Sequence, residues 1–134
     1  MHVLRNVHGA LDEQGLALDV HPLGHDFPVR AGTRGLGFVD ASRFARIVAA
    51  MDAAIERTIA EGLFEDVRSV RRHVAERFDD ASEALEHADG WENLRLPAAV
   101  RRRLRATRER PVEFVEAVRY RVLQKRAIPG DTPS

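Results

Sequence analysis

A stripe of arginines near the carboxyl end of the chain is the clearest chemical feature of the sequence. In the segment LPAAVRRRLRATRER, Arg101, Arg105 and Arg108 recur at the i, i+4, i+7 spacing that aligns side chains on one helix face. Only Glu109 opposes the arginines of this segment, so the stripe requires a negative partner. Further cations follow it: Arg119, Arg121, Lys125 and Arg126. The pattern predicts contact with an anionic surface.

Two kinds of partner could neutralise these cations. Acidic residues just upstream could form an opposing face inside the molecule, which would make the arginines structural: Glu76, Asp79, Asp80, Glu83 and Glu86. Alternatively, the arginines bind an acidic protein surface or the phosphates of a nucleic acid, because phosphate contacts need only positive charge on one face. The segment carries no helix-turn-helix, zinc-finger or stacking-aromatic signature, and we favour a protein partner slightly.

Four of the six histidines lie within the first twenty-five residues. Imidazoles together with a carboxylate are ligands for zinc or iron, so His8, His21, His25 and Asp26 form a candidate metal site. The spacing from His21 to His25 contains a proline and a glycine, which removes the helical geometry that would make it diagnostic. The alternative is that these histidines are exposed or lie at strand edges. We expect no cofactor.

Arg68 and His73 form a candidate pair for catalysis. Their R-x4-H spacing resembles the motif of the HEPN ribonucleases, which are helical domains of about this size. The resemblance covers these two residues and implies a ribonuclease-like hydrolase. Val67, Val70 and Val74 around the pair also fit an ordinary apolar core, so chance spacing on a structural helix is the alternative.

The composition limits the class of protein. The chain has 134 residues, no cysteine and a formal net charge of zero, which fits one domain in a reducing compartment. No apolar run approaches the ~20 residues of a membrane span, so we expect a cytoplasmic protein without membrane contact. The charge is uneven, because residues 1–90 carry ten arginines against sixteen acids, whereas residues 91–126 carry ten arginines and one lysine against four acids.

The elements that must position these residues are predicted to be mainly helical. The best-defined helix covers residues 40–62, with N-cap oxygens at Asp40 and Ser42 and a terminal Gly62. Further helices are predicted over residues 64–78, 80–88, 97–110 and 111–127, and Asp80 with Glu83 is predicted to form a capping box at the start of the second of them. Strands are predicted over residues 3–11 and 16–20, which form a hairpin, and over residues 27–31 and 36–39.

The predicted fold is therefore α+β and mainly α: an N-terminal β-hairpin or small antiparallel sheet packed on a four- to five-helix bundle. Residues 1–127 form a single domain, with a hairpin and loop part in 1–39 and a helical part in 40–127, and residues 128–134 form a disordered tail. The predicted core comprises Phe44, Ile47, Val48, Met51, Ile55, Ile59, Val67, Val70, Val74, Leu85, Trp91, Leu104, Val115 and Val118.

The favoured function is a small non-enzymatic binding or regulatory protein, of the adaptor, immunity or antitoxin kind. It would engage an anionic partner through its arginine-rich C-terminal helices, and a homodimer is left open. The alternative is a small metal-dependent or ribonuclease-like hydrolase that uses the N-terminal histidines or the pair Arg68 and His73. The sequence contains no recognisable catalytic site. A non-enzymatic protein is therefore favoured, and an enzyme is not excluded.

Overall fold

The computed structural model describes residues 2–126, with the side chains of residues 4–126. Within that range the helices are α1 (His2–Ala10), α2 (Ser42–Ala60), α3 (Ala81–Asp89) and α4 (Ala98–Ala106). The strands are β1 (Leu16–Pro22), β2 (Pro28–Ala31), β3 (Arg34–Phe38), β4 (Phe64–Phe78) and β5 (Val112–Lys125). None of these helices is both long and apolar enough to cross a membrane. The predicted tail, residues 128–134, lies outside the described residues.

The five strands form one antiparallel sheet in which β5 is the central strand. β5 pairs with β1, β2 and β4, and β2 pairs in turn with β3. The N–H groups of Leu23 and Lys125 donate to the carbonyl oxygens of Ala117 and Gly15, each at 2.8 Å. The carboxyl end of β1 is thus bonded to the middle of β5 and its amino end to the carboxyl end of β5, so these strands run in opposite directions.

The chain divides into two compact units, each built from several segments. Within the described range, unit 1 comprises residues 2–21, 49–71 and 119–126, and unit 2 comprises residues 22–48 and 72–118. The elements α2, β4 and β5 each supply residues to both units. The single domain expected over residues 1–127 stays a prediction.

Unit 1 has a small core to which α1, α2, β4 and β5 contribute. Ile55, Phe64 and Leu123 are each at most 3% exposed. Leu4 and Val7 of α1 pack on this core, together with Leu11 directly after the helix. Their i, i+3, i+7 spacing gives α1 one apolar stripe, and burial of that stripe explains why this segment is helical.

Unit 2 contains the larger core, to which β2, β3, β5, α3 and α4 contribute. Val29, Val112 and Phe114 are each at most 1% exposed, and the ring of Phe78 lies 5.2 Å from that of Phe114. Helix α4 adds Leu104, which is fully buried. These contacts hold α3 and α4 in place, and the candidate site described below depends on the ends of those two helices.

Several predicted elements are confirmed. Helix α2 occupies most of residues 40–62, and Asp40 Oδ1 accepts hydrogen bonds from the hydroxyl of Ser42 at 2.7 Å and from its N–H at 3.1 Å. These bonds, with the nearby guanidinium of Arg95, lower the pKa of Asp40. Gly62 has a φ of 79°, the left-handed conformation that commonly follows a helix. The strands β1 to β3 and helix α3 also lie where the sequence predicts them.

The prediction of a mainly α helical bundle is wrong, because two of the predicted helices are the long strands β4 and β5. The protein is α+β with a five-stranded antiparallel sheet and four helices in the described range. In β5, Phe114, Val115, Ala117 and Val118 are all buried, so this stretch is covered on both faces and lacks polar alternation. A continuous apolar run fits a buried strand and a helix equally well, which explains the error.

The other wrong assignments have related causes. Residues 64–78 carry valines at helical spacing, but valine is β-branched and favours strands, and Val67 and Val74 are 54% and 45% exposed in β4. Residues 3–11, predicted as a strand, belong mostly to α1. Two predicted core residues of α2, Ile47 and Met51, are 42% and 41% exposed, so α2 buries a narrower face than its apolar content suggests.

Candidate anion-binding site

A cavity in unit 2 is lined by arginines from the end of α4 and the loop that follows it. The cavity lies between the start of α3 and the end of α4 and has a volume of about 530 Å³. Arg105, Arg108 and Arg110 line it, together with the carboxylates of Asp80 and Glu109. Leu85 supplies apolar surface, and the fully buried Leu104 lies behind the wall. The combination of guanidinium groups with an apolar wall suits a small anionic group attached to a carbon chain.

The start of α3 is fixed by a reciprocal cap. Asp80 Oδ1 accepts a hydrogen bond from the N–H of Glu83 at 3.0 Å, and Glu83 Oε2 accepts one from the N–H of Asp79 at 3.2 Å. This is the capping arrangement that the sequence predicts for Asp80 and Glu83, with the return bond going to the residue before the cap. The cap holds the first turn of α3 and the Asp80 carboxylate at one side of the cavity.

The opposite side depends on how α4 ends. The N–H of Thr107 donates to the carbonyl of Arg103 at 3.0 Å, and the N–H of Glu109 donates to Thr107 Oγ1 at 3.2 Å. Gly32 then anchors the end of the loop, because its N–H donates to the carbonyl of Pro111 at 2.8 Å. Gly32 has a φ of 58°, and a side chain there would collide with the Glu109 carboxylate. The loop that carries Arg108 and Arg110 is therefore tied at both ends.

The three arginines of the cavity have unused hydrogen-bonding capacity. Arg105, Arg108 and Arg110 are exposed, and no carboxylate oxygen of the described residues lies within 4.0 Å of their guanidinium nitrogens. Of the two carboxylates in the wall, Asp80 is engaged by the α3 cap and Glu109 lies against Gly32. Each guanidinium can therefore offer a fork of N–H donors to a carboxylate or phosphate that enters the cavity.

Five of the seven predicted partner-binding cations are engaged within the chain. Arg101 pairs with Asp89 at 3.0 Å, and the nitrogen of Lys125 donates to the carbonyl of Leu11 at 2.7 Å. The other three pairings are Arg119 with Asp52, Arg121 with Glu56 at 3.1 Å, and Arg126 with Glu65 at 3.5 Å. The other two predicted cations, Arg105 and Arg108, have no such partner among the described residues.

The predicted metal ligands do not converge on one site within the described residues. His8 is buried and its Nε2 lies 2.8 Å from the carbonyl oxygen of Arg126, whereas His25 is exposed. Asp26 Oδ2 lies 3.2 Å from Nε2 of His73, and both side chains are more than half exposed. Within residues 4–126, no three histidine or acidic side chains converge in a way that could hold a metal ion.

His21 belongs to a buried charged cluster in unit 1. Its Nε2 lies 3.0 Å from Asp52 Oδ1 and 3.3 Å from the nearest guanidinium nitrogen of Arg119, which itself pairs with Asp52. Its Nδ1 lies 2.8 Å from Asp19 Oδ2, an ion-pair distance whose angle is too poor for a hydrogen bond. The side chain is 3% exposed, so the cluster joins α2 to β1 and β5 rather than facing a ligand.

Arg68 and His73 both lie on β4, so the helical spacing behind the ribonuclease resemblance is absent. Side chains alternate between the two faces of a strand, and an interval of five residues places this pair on opposite faces, about 17 Å apart along the strand. The pair therefore has no common face on which to act on one substrate.

One feature of the site was missed from the sequence, and so was a second group of cations that lies outside it. Arg110 was predicted to end a helix that in fact ends at Ala106, so its place beside Arg105 and Arg108 could not be seen. The early acidic part of the chain also supplies four exposed arginines of β4: Arg68, Arg71, Arg72 and Arg77. The proline before Val112 is the signal that α4 had to stop before residue 111.

Comparison of the chain with protein-family models, with curated proteins and with solved structures found no match. The function is therefore inferred from the residues of the chain and their geometry.

Proposed function

We propose that the protein is a small non-enzymatic binding or regulatory domain that holds an acidic segment of a partner protein between α3 and α4. The supporting observation is the cavity lined by Arg105, Arg108 and Arg110, whose guanidinium groups have no carboxylate within 4.0 Å among the described residues. An arginine and a carboxylate can form two parallel hydrogen bonds, which are among the stronger polar contacts between proteins. An aspartate or glutamate of the partner would fill this role.

The arrangement favours a protein partner over a nucleic acid. A nucleic acid binds through many phosphate contacts along its backbone, which requires a long basic track. In the described part of the C-terminal region, Arg119, Arg121 and Arg126 are paired with acids of the same chain, whereas Arg105, Arg108 and Arg110 line the cavity. Three clustered arginines match a short acidic segment, and arginine is common among residues that anchor protein interfaces.

The carboxylates of the wall add selectivity. Asp80 and Glu109 lie beside the arginines, and a ligand with dense negative charge brings that charge close to both. Like charges in contact oppose binding, whereas one or two separated carboxylates can reach Arg105 and Arg108 without meeting the acids. The site therefore suits isolated acidic side chains next to apolar ones, which the half-buried Leu85 can contact.

The proposal requires no bond cleavage and no cofactor. The hydrolase alternative has less support, because Arg68 and His73 extend from opposite faces of β4. His8 and His21 are each held by other groups of unit 1. A cytoplasmic location fits a binding domain of this kind and remains part of the proposal.

Fluorescence anisotropy with a labelled peptide of alternating glutamate and leucine residues tests the proposal. The double variant Arg105→Ala, Arg108→Ala should bind the peptide at least about tenfold more weakly, because hydrogen bonds to charged groups contribute about 1.5–3 kcal/mol each. The matched control is Arg46→Ala, Arg57→Ala, which removes two exposed arginines of α2 and the same net charge.

The control should keep an affinity close to that of the wild type. Equal losses in both double variants would show that net charge, and not the cavity, determines binding. Tight binding of a DNA duplex with a steep salt dependence, and none of the peptide, would also overturn the proposal.

A further inference from the structure

Strand β1 has an open edge in unit 1. In the described range it pairs only with β5. The hydrogen bonds from the N–H of Lys125 to Gly15 and from the N–H of Leu23 to Ala117 show that the main-chain groups of its odd-numbered residues point to β5. Because main-chain groups alternate in direction along an antiparallel strand, the N–H and C=O groups of Leu16, Leu18 and Val20 point to the open edge. They form a row of unused hydrogen-bonding groups.

The side chains at this edge are apolar and exposed. Leu16, Leu18 and Val20 are 60%, 65% and 48% exposed, and they share one face of β1. The charged residues of the strand, Asp19 and His21, point to the opposite face, where they contact each other. An exposed apolar edge strand is a template for pairing with another strand.

The other long edge strand of the sheet, β4, differs from β1 in charge. Strand β4 also pairs only with β5 in the described range, but it carries four exposed arginines: Arg68, Arg71, Arg72 and Arg77. Charged side chains of this kind prevent an edge from pairing with another chain. β1 has no lysine or arginine, so the two edges differ in the feature that blocks strand addition.

We propose that β1 pairs with β1 of a second copy of this chain, antiparallel and centred on Leu18. In this register Leu18 lies opposite Leu18 of the second copy, and Leu16 lies opposite Val20 of the second copy. The free N–H and C=O groups of all three residues then find partners. Their side chains form one apolar cluster, with facing Cβ atoms about 5 Å apart.

The sequence of β1 disfavours the register that is shifted towards its carboxyl end. A shift by one step towards the carboxyl end would place Asp19 opposite Asp19 of the second copy and Pro22 opposite Leu16. Pro22 has no N–H, so this alternative loses a hydrogen bond and brings like charges together. The centred register instead places Ala17 opposite Asp19. The second copy fits because the strand is complementary to itself, as a two-fold interface requires.

The contact between the two β1 strands is small, so the affinity of the dimer is low. Stable interfaces usually bury about 1,200–2,000 Å² in total, and a five-residue ribbon buries less than that. The dimer therefore dissociates on dilution. Sedimentation velocity over a range of protein concentrations should show a shift from the 15.0 kDa chain to a species of twice that mass.

The variant Leu18→Lys tests the interface. Because Leu18 is 65% exposed, the substitution should leave the circular dichroism spectrum and the melting temperature of the monomer unchanged, but it should abolish the dimer. The matched control is Val67→Lys, which places the same charge on β4 at a residue that is 54% exposed. It should form dimers as the wild type does.

Crosslinking gives a second measurement that does not depend on a disruptive variant. The chain has no cysteine, so Leu18→Cys and Val67→Cys each introduce a single thiol. A short bismaleimide should link Leu18→Cys into covalent dimers and leave Val67→Cys monomeric. A wild type that is monomeric at every concentration, a dimer that survives Leu18→Lys, or equal crosslinking of both cysteine variants would overturn the proposal.

Discussion

His21 Nε2 and Asp52 Oδ1 lie 3.0 Å apart, and this contact joins strand β1 to helix α2 in unit 1. The same carboxylate pairs with Arg119 of β5, whose side chain is 11% exposed. Asp52 therefore neutralises a nearly buried guanidinium and also contacts a buried imidazole. The cluster stabilises the packing of α2 on two strands, and Asp52 is the acid that contacts both the guanidinium and the imidazole.

Removal of the Asp52 carboxylate should destabilise the protein. The variant Asp52→Ala leaves Arg119 largely buried without its acid, and we expect the free energy of unfolding to fall by about 2–3 kcal/mol. Urea denaturation measures the change. Glu86→Ala, which removes an exposed carboxylate of α3, is the control and should change stability by less than about 0.5 kcal/mol. Similar losses in both variants would show that the cluster contributes nothing specific.

Glu116 should make stability depend on pH. Burial raises the pKa of Glu116 above its ordinary value of 4.5, and the neighbouring Glu76 carboxylate raises it further. The folded state therefore binds this proton more tightly than the unfolded state. As pH rises from the ordinary pKa through the raised one, the free energy of unfolding falls.

The variant Glu116→Gln removes this contribution. Its free energy of unfolding should increase relative to that of the wild type as the pH is raised from ~4 to ~7. Urea denaturation of both proteins at several pH values measures the difference, with the exposed Glu86→Gln as the control. A constant difference between Glu116→Gln and wild type at all pH values would contradict the assignment to Glu116.

Leu104 should be important for stability and for the shape of the cavity. It is fully buried in the core of unit 2 and also contributes to the cavity wall, so Leu104→Ala should lower the free energy of unfolding by about 2–5 kcal/mol. Val67→Ala, at a residue that is 54% exposed, should change it by less than about 0.5 kcal/mol. Thermal or urea unfolding distinguishes the two. A small effect of Leu104→Ala would mean that α4 packs loosely.

Local signals in the sequence predicted the helices whose ends carry capping residues. Asp40 and Gly62 mark the limits of α2, and Asp80 with Glu83 marks the start of α3, because caps act within one turn. The strands β4 and β5 could not be recognised, since their valines fit helical spacing as well as a strand. Their pairing with each other depends on residues about fifty positions apart, and periodicity carries no information about such contacts.

Only part of the candidate site was predicted, because helical spacing is a local signal. Helical spacing placed Arg105 and Arg108 near each other, and they do line one cavity. Spacing could not show that Arg119 and Arg121 would face acids of α2, because that depends on β5 being a strand. The excess of cations near the carboxyl end was therefore real in the sequence, but much of it is neutralised by acids that lie far away in the chain.

An NMR titration of the ¹⁵N-labelled protein with the glutamate and leucine peptide shows whether acidic segments bind between α3 and α4. We expect backbone amide shifts to change mainly over residues 80–85 and 104–110, which border the cavity, and we expect the double variant Arg105→Ala, Arg108→Ala to remove these changes. Changes confined to the exposed arginines of β4, or no changes at saturating peptide, would contradict the proposed function.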